Sequence, residues 1–402
     1  MLNFNDTEKA FAYKSDKQLK KARFLFGIMQ YNGLVKLGTI FTPLALKMHL
    51  PIKGIIKKTL FEQFVGGGSL EASSSVIGML EKQGVDVILD YGVEGGEYDD
   101  AKYDASLEEF IKVIQFAATK KNAPFISVKL TGLSSTSLLT KLNLNAYEQF
   151  EFASDQKISE KIESLEPAEK AAWEKLITRT EKICSIASEL GVGIMIDAEE
   201  TWIQDPIDYI AVMMSRKFNQ SKSVVYNTLQ FYRHDRIQFM HAAYQDSVEN
   251  GYQFAVKIVR GAYMEKERAR AEQLQYRSPI HLNKEDVDKD YDKAIDFLIQ
   301  QHTNTSVIIA SHNEKSTLLA VQLSGQQNKL NKMHFSQLYG MSDNLTFNLA
   351  SEGYSVSKYL PFGPVEEVIP YLMRRAQENS SVAGQTSREL SLIREECKRR
   401  GI

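Results

Sequence analysis

Eight short runs rich in β-branched and aromatic residues follow residue 84, and most are separated by enough sequence for a helix. The predicted strands are Val85–Tyr91, Phe125–Leu130, Gly193–Ala198, Val224–Phe231, Phe254–Arg260, Ser306–Ser311, Met333–Tyr339 and Ser355–Leu360. Glycine ends the helical pattern before several of them, as at Gly191 and Gly251. The alternation predicts an α/β fold of the (β/α)8 TIM-barrel class. An open doubly wound sheet is the alternative, although no Gly-x-Gly-x-x-Gly motif follows the first strand, which disfavours a Rossmann fold.

The rest of the chain divides around this repeat. Residues 1–83 are predicted to be an N-terminal helical region that contains a glycine-rich break at Phe64–Ser69. Residues 84–379 form the predicted barrel, with an insertion at about 134–190 that holds more than one helix. Residues 380–402 form a predicted C-terminal tail helix, in which Arg394–Arg400 is typical of a solvated helix end.

Composition excludes some classes of function. The 402 residues carry a net charge of -2, which argues against a nucleic-acid partner. The two cysteines, Cys184 and Cys397, are far apart and indicate neither a disulfide framework nor a thiolate metal site. Met1–Lys21 lacks the apolar run of a secretory signal, and no run reaches the length of a transmembrane helix, so a cytoplasmic location is expected. The apolar and basic stretch Leu34–Phe61 either packs on the body of the protein or lies on an anionic membrane surface.

The last predicted strand leads through a tight turn, Pro361–Pro364, into a helix that Pro370 is expected to restart. Four residues of this helix fall at i, i+3, i+4 and i+7 and share one face: Tyr371, Arg374, Arg375 and Glu378. Two adjacent guanidinium groups suit bidentate capture of a small carboxylate or phosphate. The alternative is a solvated face with an ordinary ion pair.

Reactive groups of a (β/α)8 barrel belong at the carboxyl ends of the strands. The polar residues found there are Lys129, Asp197-Ala198-Glu199, Gln230, Lys257 with Arg260 through Tyr263, Ser311-His312-Asn313, Gln337 through Gly340 and Lys358-Tyr359. Lys129, Asp197 and Lys257 lie in or beside apolar runs, where a charge is costly unless a partner or ligand balances it. Together they indicate a site.

Three chemistries compete for this site. A metal site is disfavoured because His312 lacks a second ligand at metal-binding spacing. A Schiff-base lyase could use Lys129 or Lys257 as its nucleophile. A cofactor-dependent oxidoreductase could use Arg260-Gly261 to approach a pyrophosphate. The residues alone leave the last two open.

Several motifs, taken together and in order, carry a family resemblance. They are Val128–Leu133, Ile196–Glu199, Lys257–Met264 followed by Glu267–Ala271, Gln337–Met341 and Lys358–Gly363 with Tyr371–Asn379. The chain resembles the FAD-dependent proline dehydrogenases of the stand-alone and mitochondrial branch over nearly all of Phe61–Asn379. The resemblance implies a distorted (β/α)8 barrel that holds FAD noncovalently at its strand ends, with the last helix over the barrel mouth.

The resemblance also implies roles for individual residues. The residues expected to bind L-proline are Lys129, Leu338, Tyr359, Tyr371, Arg374, Arg375 and Glu378. Those expected to bind FAD are Ala198, Gln230, Lys257, Arg260, Gly261, Ala262, Tyr263, Ser311 and His312. Asp197 and Lys257 are the expected catalytic groups, with the Lys257 ammonium stabilising anionic reduced flavin.

The implied reaction is hydride transfer from C5 of L-proline to N5 of FAD, which gives Δ1-pyrroline-5-carboxylate, the first step from proline to glutamate. Electrons are expected to pass to a membrane quinone, with the protein in the cytoplasm or at the inner face of the inner membrane. A separate pyrroline-5-carboxylate dehydrogenase is the expected downstream partner. Oxidation of hydroxyproline is the close alternative, and Tyr359 is expected to exclude the 4-hydroxyl group.

Overall fold

Eight parallel strands close into a barrel in chain order in the computed structural model, which confirms the predicted fold class. The strands are β1 (Asp86–Tyr91), β2 (Phe125–Val128), β3 (Gly193–Ile196), β4 (Val225–Gln230), β5 (Phe254–Val259), β6 (Thr305–Ala310), β7 (Met333–Leu338) and β8 (Val356–Phe362). The structure describes residues 2–31, 33, 35, 38, 41, 53–92, 97, 99–144, 155–327, 332–381 and 385–402. Strands β3 and β4 are buried along their whole length, as expected for parallel strands with both faces covered.

Helices alternate with these strands. The described helices are α1 (Thr7–Phe11), α2 (Asp16–Met29), α3 (Lys53–Ile56), α4 (Glu62–Phe64), α5 (Leu70–Lys82), α6 (Asp100–Ala118), α7 (Thr136–Leu142), α8 (Asp155–Glu163), α9 (Pro167–Leu190), α10 (Thr201–Phe218), α11 (Arg236–Glu249), α12 (Met264–Leu274), α13 (Lys284–Gln300), α14 (Glu314–Gln327), α15 (Asp343–Ser351), α16 (Val365–Ser381) and α17 (Gln385–Arg399). A π-helical segment (Lys57–Phe61) joins α3 to α4, and a 3-10 turn (Leu130–Gly132) follows β2. The predicted insertion therefore contains α7, α8 and α9.

The expected break between the last strand and its helix is wrong in two details. Strand β8 continues through Pro361 and Phe362, because the backbone N–H of Gly66 donates to the Pro361 carbonyl and Gly67 bridges to Phe362. Helix α16 runs unbroken through Pro370, although proline gives up one intrahelical hydrogen bond there. The neighbouring Val368, Ile369 and Leu372 are buried in a shared core, which holds the helix together.

The described chain forms two compact units, one of Met1–Gly92 with Ser336–Ile402 and one of Val93–Phe335. In the first unit, strands β1 and β8 pair in register from Asp86 and Ser357 to Tyr91 and Phe362. In the second unit, β2 to β6 pair in sequence. The domain bounds expected from the sequence stay a prediction.

The C-terminal helix α17 packs one face into the core of the first unit. The solvated helix end expected at Arg394–Arg400 is confirmed for the exposed Arg394, Glu395, Lys398 and Arg399 and is wrong for Glu396 and Cys397, which are buried. Leu390, Leu392, Ile393 and Cys397 are buried in the same cluster as residues of α1 and α2. Glu396 is fully buried and accepts hydrogen bonds from Arg399 and Arg400. Arg400 in turn donates to the backbone carbonyls of Phe11 and Lys14, which ties the residue after α17 to the end of α1 and the turn that follows it.

One close approach in the first unit requires glycine. Gly340 has φ +80, and a Cβ atom there would lie 2.0 Å from the Gln63 carbonyl oxygen. The Gln63 amide donates to the Gly340 carbonyl at 2.8 Å, so the two segments are tied together directly. This contact fixes the loop that follows Leu338 at the end of β7.

Most of the stretch Leu34–Phe61, for which packing or a membrane surface was expected, lies outside the described residues. Its described part is α3 with the π-helical segment. Among the helices that the structure describes, none is long and apolar enough to cross a membrane.

Candidate functional site

Buried charges meet at the carboxyl ends of β2, β3 and β5 in the second unit. The Lys257 ammonium forms an ion pair with Asp197, and the Lys129 ammonium lies 3.9 Å from the other carboxylate oxygen. The Ser127 hydroxyl donates to Asp197 at 2.6 Å. Burial alone would raise the pKa of Asp197, but Lys257 and Lys129 with these hydrogen bonds hold it below its usual range. Asp197 is therefore an anion between two lysines.

Glu199 is a further charged residue at these strand ends. We name Lys129, Asp197, Glu199 and Lys257 together the rim cluster. The Glu199 carboxyl group accepts from the Thr131 backbone N–H at 3.2 Å and from the Thr131 hydroxyl at 2.5 Å. Burial raises the pKa of Glu199 to about 7, with Glu200 acting in the same direction and Thr131 and Lys129 opposing. Sequence reasoning placed Glu199 at a strand end but gave it no role. The Thr131 contact that marks it lies 68 residues away along the chain.

The Gln230 amide, expected at a cofactor site, ties two strand ends together. It donates to the Glu199 carbonyl and to the Tyr232 hydroxyl, each at 2.7 Å. Ala198, which lies between Asp197 and Glu199, is largely buried. Thus β3 and β4 present their ends with the backbone of Glu199 held in place.

Arg260 follows β5 and is held by several side chains. Its guanidinium pairs with Asp288, donates to Ser316 and stacks on the Tyr291 ring at 4.2 Å, and its Nε is 3.4 Å from the Ser311 hydroxyl. The structure thus brings together Arg260 and Ser311, two residues expected to bind the same cofactor. Half-buried His312 is the next residue after Ser311.

The loop that follows Arg260 has an unusual backbone. Gly261 (φ 90) and Tyr263 (φ 60) both adopt positive φ, with Ala262 between them. Tyr263 then caps α12, an 11-residue helix. A guanidinium, a glycine that allows close approach and the N-terminus of a helix are features that suit a pyrophosphate.

In the first unit, helix α16 places two of its expected ligand-binding residues in contact. Tyr371 is 7% and Arg375 8% exposed, and the Arg375 guanidinium lies 5.1 Å from the Tyr371 ring centroid. Arg374 is half-buried. The Glu378 side chain lies outside the described part of the chain. A solvated face is therefore wrong for Tyr371 and Arg375.

The two other first-unit residues expected at the substrate are the half-buried Leu338 and Tyr359. Leu338 packs on the first-unit core at the end of β7. The backbone N–H of Tyr339 donates to the Tyr359 carbonyl at 2.9 Å, which joins β7 and β8 beside these side chains.

A second set of buried charges in the first unit was not recognised from the sequence. Lys358 of β8 is fully buried, 2.9 Å from Asp343 and 2.5 Å from the Met341 carbonyl. Asp343 also lies 3.4 Å from Lys14 and accepts from the Tyr13 hydroxyl at 2.7 Å. Glu389 of α17 accepts from the Ser342 backbone N–H. We name Lys14, Asp343, Lys358 and Glu389 the terminal-helix cluster.

The second unit therefore has strand ends that carry buried Lys257 and half-buried Lys129 around one aspartate, beside an arginine and a loop with positive φ at Gly261 and Tyr263. Such a set can bind a small carboxylate and a phosphate-bearing group. The fold and these residues define a (β/α)8 barrel protein whose rim is suited to anionic ligands.

Comparison with known proteins identifies the family. The proline dehydrogenase family model matches residues 74–388. Among relatives, the chain is 32% identical to the carbapenem antibiotics biosynthesis protein CarD of Pectobacterium carotovorum (84% of this chain, 83% of the relative). It is 34% identical to the mitochondrial proline dehydrogenase 1 of Arabidopsis thaliana (87% and 76%). It is 30% identical to the hydroxyproline dehydrogenase of Xenopus laevis (99% and 90%).

A solved structure shares the fold. Proline utilization A from Bdellovibrio bacteriovorus, inactivated by N-propargylglycine, matches with a TM-score of 0.70 and 19% identity over 96% of this chain and 40% of that chain. The chain belongs to the proline dehydrogenase family, whose members are oxidoreductases that act on proline.

Proposed function

We propose that the protein is a FAD-dependent proline dehydrogenase that oxidises L-proline to Δ1-pyrroline-5-carboxylate. The observation that carries the proposal is the rim cluster, in which Asp197 lies between Lys129 and Lys257 at the carboxyl ends of barrel strands. Two lysine ammonium groups around one aspartate favour a further anionic group beside them, which the carboxylate of the substrate would supply.

The residues of the second unit fit a flavin cofactor. Arg260 and the positive-φ loop at Gly261 would hold the pyrophosphate, with Ala262, Tyr263, Ser311 and His312 beside it. Gln230 and Ala198 would line the ring system near Lys257. The chemistry that FAD supplies when bound is acceptance of a hydride at N5. The Lys257 ammonium, fixed by Asp197, would stabilise the negative charge that develops there.

The family resemblance supports substrate-binding roles in each unit. In the second unit, Lys129 is proposed to bind the carboxylate of proline. In the first unit, Arg374 and Arg375 are proposed to bind a carboxylate, with Glu378 orienting the guanidinium groups. Tyr359, Tyr371 and Leu338 pack on the proline ring. These residues hold C5 in position after the ammonium group has lost its proton, because the nitrogen lone pair must assist departure of the hydride. Asp197 acts by orienting the two lysine ammonium groups, one in contact with it and one 3.9 Å away.

Two proposed partners and a proposed location follow from the family and from the chemistry. Electrons would leave for a membrane quinone, and a separate pyrroline-5-carboxylate dehydrogenase would complete the conversion to glutamate. The protein would act in the cytoplasm, at the inner face of the inner membrane when it delivers electrons.

Hydroxyproline dehydrogenase is the second candidate, favoured by the similarity to the Xenopus laevis relative over 99% of this chain. Tyr359 argues for proline, because a phenol at the ring edge would exclude a 4-hydroxyl group by bulk. A Schiff-base lyase is the more distant alternative. It is disfavoured by the ion pair that keeps Lys257 bound to Asp197, since a nucleophilic amine must be neutral.

Anaerobic reduction tests the proposal. The purified protein, loaded with FAD, should lose its visible flavin absorbance when L-proline is added without oxygen. Trans-4-hydroxy-L-proline should reduce it more slowly. Lack of bleaching by either compound in a folded, FAD-replete sample would contradict the assignment, and faster bleaching by hydroxyproline would favour the second candidate.

A further inference from the structure

Glu199 is the member of the rim cluster for which the reaction itself supplies no role. It is 4% exposed, and its carboxyl group accepts two hydrogen bonds, both from Thr131, among the described residues. Thr131 lies in the 3-10 turn whose first flanking residue is Lys129, and the Gly132 backbone N–H donates back to the Lys129 carbonyl at 3.0 Å. Glu199 therefore holds the turn that carries one of the two lysines.

The backbone of Glu199 is fixed from two sides. Its N–H donates to the Gln204 side chain of α10 at 2.8 Å, and its carbonyl accepts from Gln230 of β4 at 2.7 Å. The backbone of Glu199 is thus fixed, and its carboxyl group is held by the two Thr131 donors. A change in its charge must be accommodated electrostatically rather than by movement.

The charges that face Glu199 come from several elements. Lys129 at the end of β2 favours the ionised form, and Glu200 at the start of α10 opposes it. Asp197 and Lys257 form the adjoining ion pair on β3 and β5. Glu267 of α12 accepts from the backbone N–H of Thr201, so a further carboxyl group lies close to Glu200. These surroundings leave burial as the dominant effect on Glu199.

We propose that Glu199 is a positioning residue that holds a proton while the substrate carboxylate is bound, which avoids a second negative charge beside that carboxylate. The inference rests on the proposed function. With Glu199 neutral, the rim cluster has a net charge of one positive unit. With Glu199 ionised, the cluster is neutral, and a carboxylate ligand gains less from it.

Linkage fixes the sign of the effect. A carboxylate ligand beside the cluster disfavours ionisation of Glu199 and raises its pKa, so binding takes up a proton when the pH lies near or above the free value of about 7. Affinity for the carboxylate therefore falls as the pH rises through that range. A coupling of one pKa unit corresponds to about tenfold in affinity.

Calorimetric titration of the FAD-loaded protein with cyclopentanecarboxylate tests this directly. This probe has the ring and carboxylate of proline but no ammonium group, so the titration of proline itself does not contribute. Titration in buffers of different ionisation enthalpy counts the protons taken up. The wild type should take up a fraction of a proton at about pH 7, and its affinity should fall about threefold to tenfold between about pH 6 and pH 8.5.

Two variants of the cluster should change the pH dependence of ligand affinity in different ways. Glu199→Gln should take up no proton and show an affinity that is flat with pH, because the amide keeps an acceptor for Thr131 but does not titrate. Thr131→Val removes a hydrogen bond that favours ionised Glu199, so the midpoint of the affinity change should move to higher pH. A purely structural role for Glu199 does not predict this upward shift.

Glu389→Gln is the matched control. Glu389 is a buried glutamate of the first unit whose pKa is also raised to about 7. The Glu389→Gln variant should show the same proton uptake and the same dependence of affinity on pH as the wild type. Proton uptake that persists in Glu199→Gln, that disappears in Glu389→Gln, or that is missing from a wild type reduced by proline would overturn the inference. A wild type that proline cannot reduce would overturn the proposed function instead.

Discussion

The rim cluster and the terminal-helix cluster have the same inventory of charged groups. Each has two lysines, one aspartate whose pKa is held low and one buried glutamate whose pKa is raised to about 7. In each, the glutamate accepts from a backbone N–H, of Thr131 in one case and of Ser342 in the other. Buried charge alone therefore does not mark a functional site in this protein.

The difference lies in how the aspartate and the lysines are coordinated. Asp343 has Lys358 at 2.9 Å, Lys14 at 3.4 Å and the Tyr13 phenol at 2.7 Å, and Lys358 donates again to a carbonyl. Asp197 has Lys257 in contact but Lys129 at 3.9 Å. The terminal-helix cluster is closed by the turn between α1 and α2 and by Glu389 of α17. The rim cluster is made of strand ends, where barrel enzymes keep their reactive groups.

The largest expected effect separates the clusters by stability. Lys358→Met should lower the free energy of unfolding by about 3–5 kcal/mol, because it removes one partner of a buried ion pair. Denaturant unfolding measures this. Lys257→Met, the matched change in the rim cluster, should lose proline oxidation at a smaller cost in stability. If Lys358→Met and Lys257→Met lost the same free energy of unfolding and kept the same proline oxidation activity, the distinction between the clusters would be contradicted.

The next effect concerns the guanidinium groups of α16. Arg375→Met should weaken proline binding by about 2–5 kcal/mol, since a proposed charge partner of the carboxylate is lost. Anaerobic titration with proline measures the affinity, and flavin absorbance measures the cofactor content, which should be retained. Loss of flavin with intact proline affinity would show that Arg375 serves the cofactor rather than the substrate.

A smaller effect tests the phenol that completes the terminal-helix cluster. Tyr13→Phe removes the hydrogen bond to Asp343 and should lower the free energy of unfolding by about 1.5–3 kcal/mol, the range for hydrogen bonds to charged groups. Its control is Tyr244→Phe, which loses a half-buried bond to the neutral amide of Gln301 and should cost less. The reverse order would contradict the view that Asp343 depends on Tyr13.

The smallest effect concerns substrate choice. Tyr359→Ser should reduce kcat/KM for proline and narrow its advantage over trans-4-hydroxy-L-proline about tenfold, because a smaller side chain would admit the hydroxyl group. Steady-state rates with both compounds, for the wild type and the variant, measure this. If kcat/KM fell by the same factor for both substrates, Tyr359 would have a structural role and no role in substrate choice.

The barrel could be predicted from the sequence because its signal is local. Most strands are short runs rich in β-branched or aromatic residues, and the observed strands begin and end within two residues of the predicted limits. The prediction failed where distant contacts decide local structure. Pro361 stays in β8 because Gly66 pairs with it, and Pro370 stays inside α16 because its neighbours are buried. Arg400 looks solvated until its carbonyl partners after α1 are known.

The candidate site shows the same limit. Lys257 and Lys358 both interrupt apolar strands, and the sequence does not distinguish a lysine that serves a ligand from one that serves Asp343. Because side chains alternate along a strand, Lys358 and its neighbour Tyr359 point to opposite faces of β8. The pairing with Asp343 assigns Lys358 to the packed face, which the sequence could not show.

The docking of α17 against α1 and α2 has a consequence for how the chain is made. Helices α1 and α2 are synthesised first, but Arg400 and the buried apolar face of α17 become available only after more than three hundred further residues have been translated. The apolar surfaces of Phe11 and Phe26 that α17 would cover therefore stay partly exposed while the second unit is synthesised. During synthesis the second unit has all of its residues before the first does. Nascent chains released before residue 385 should be the species that chaperones hold.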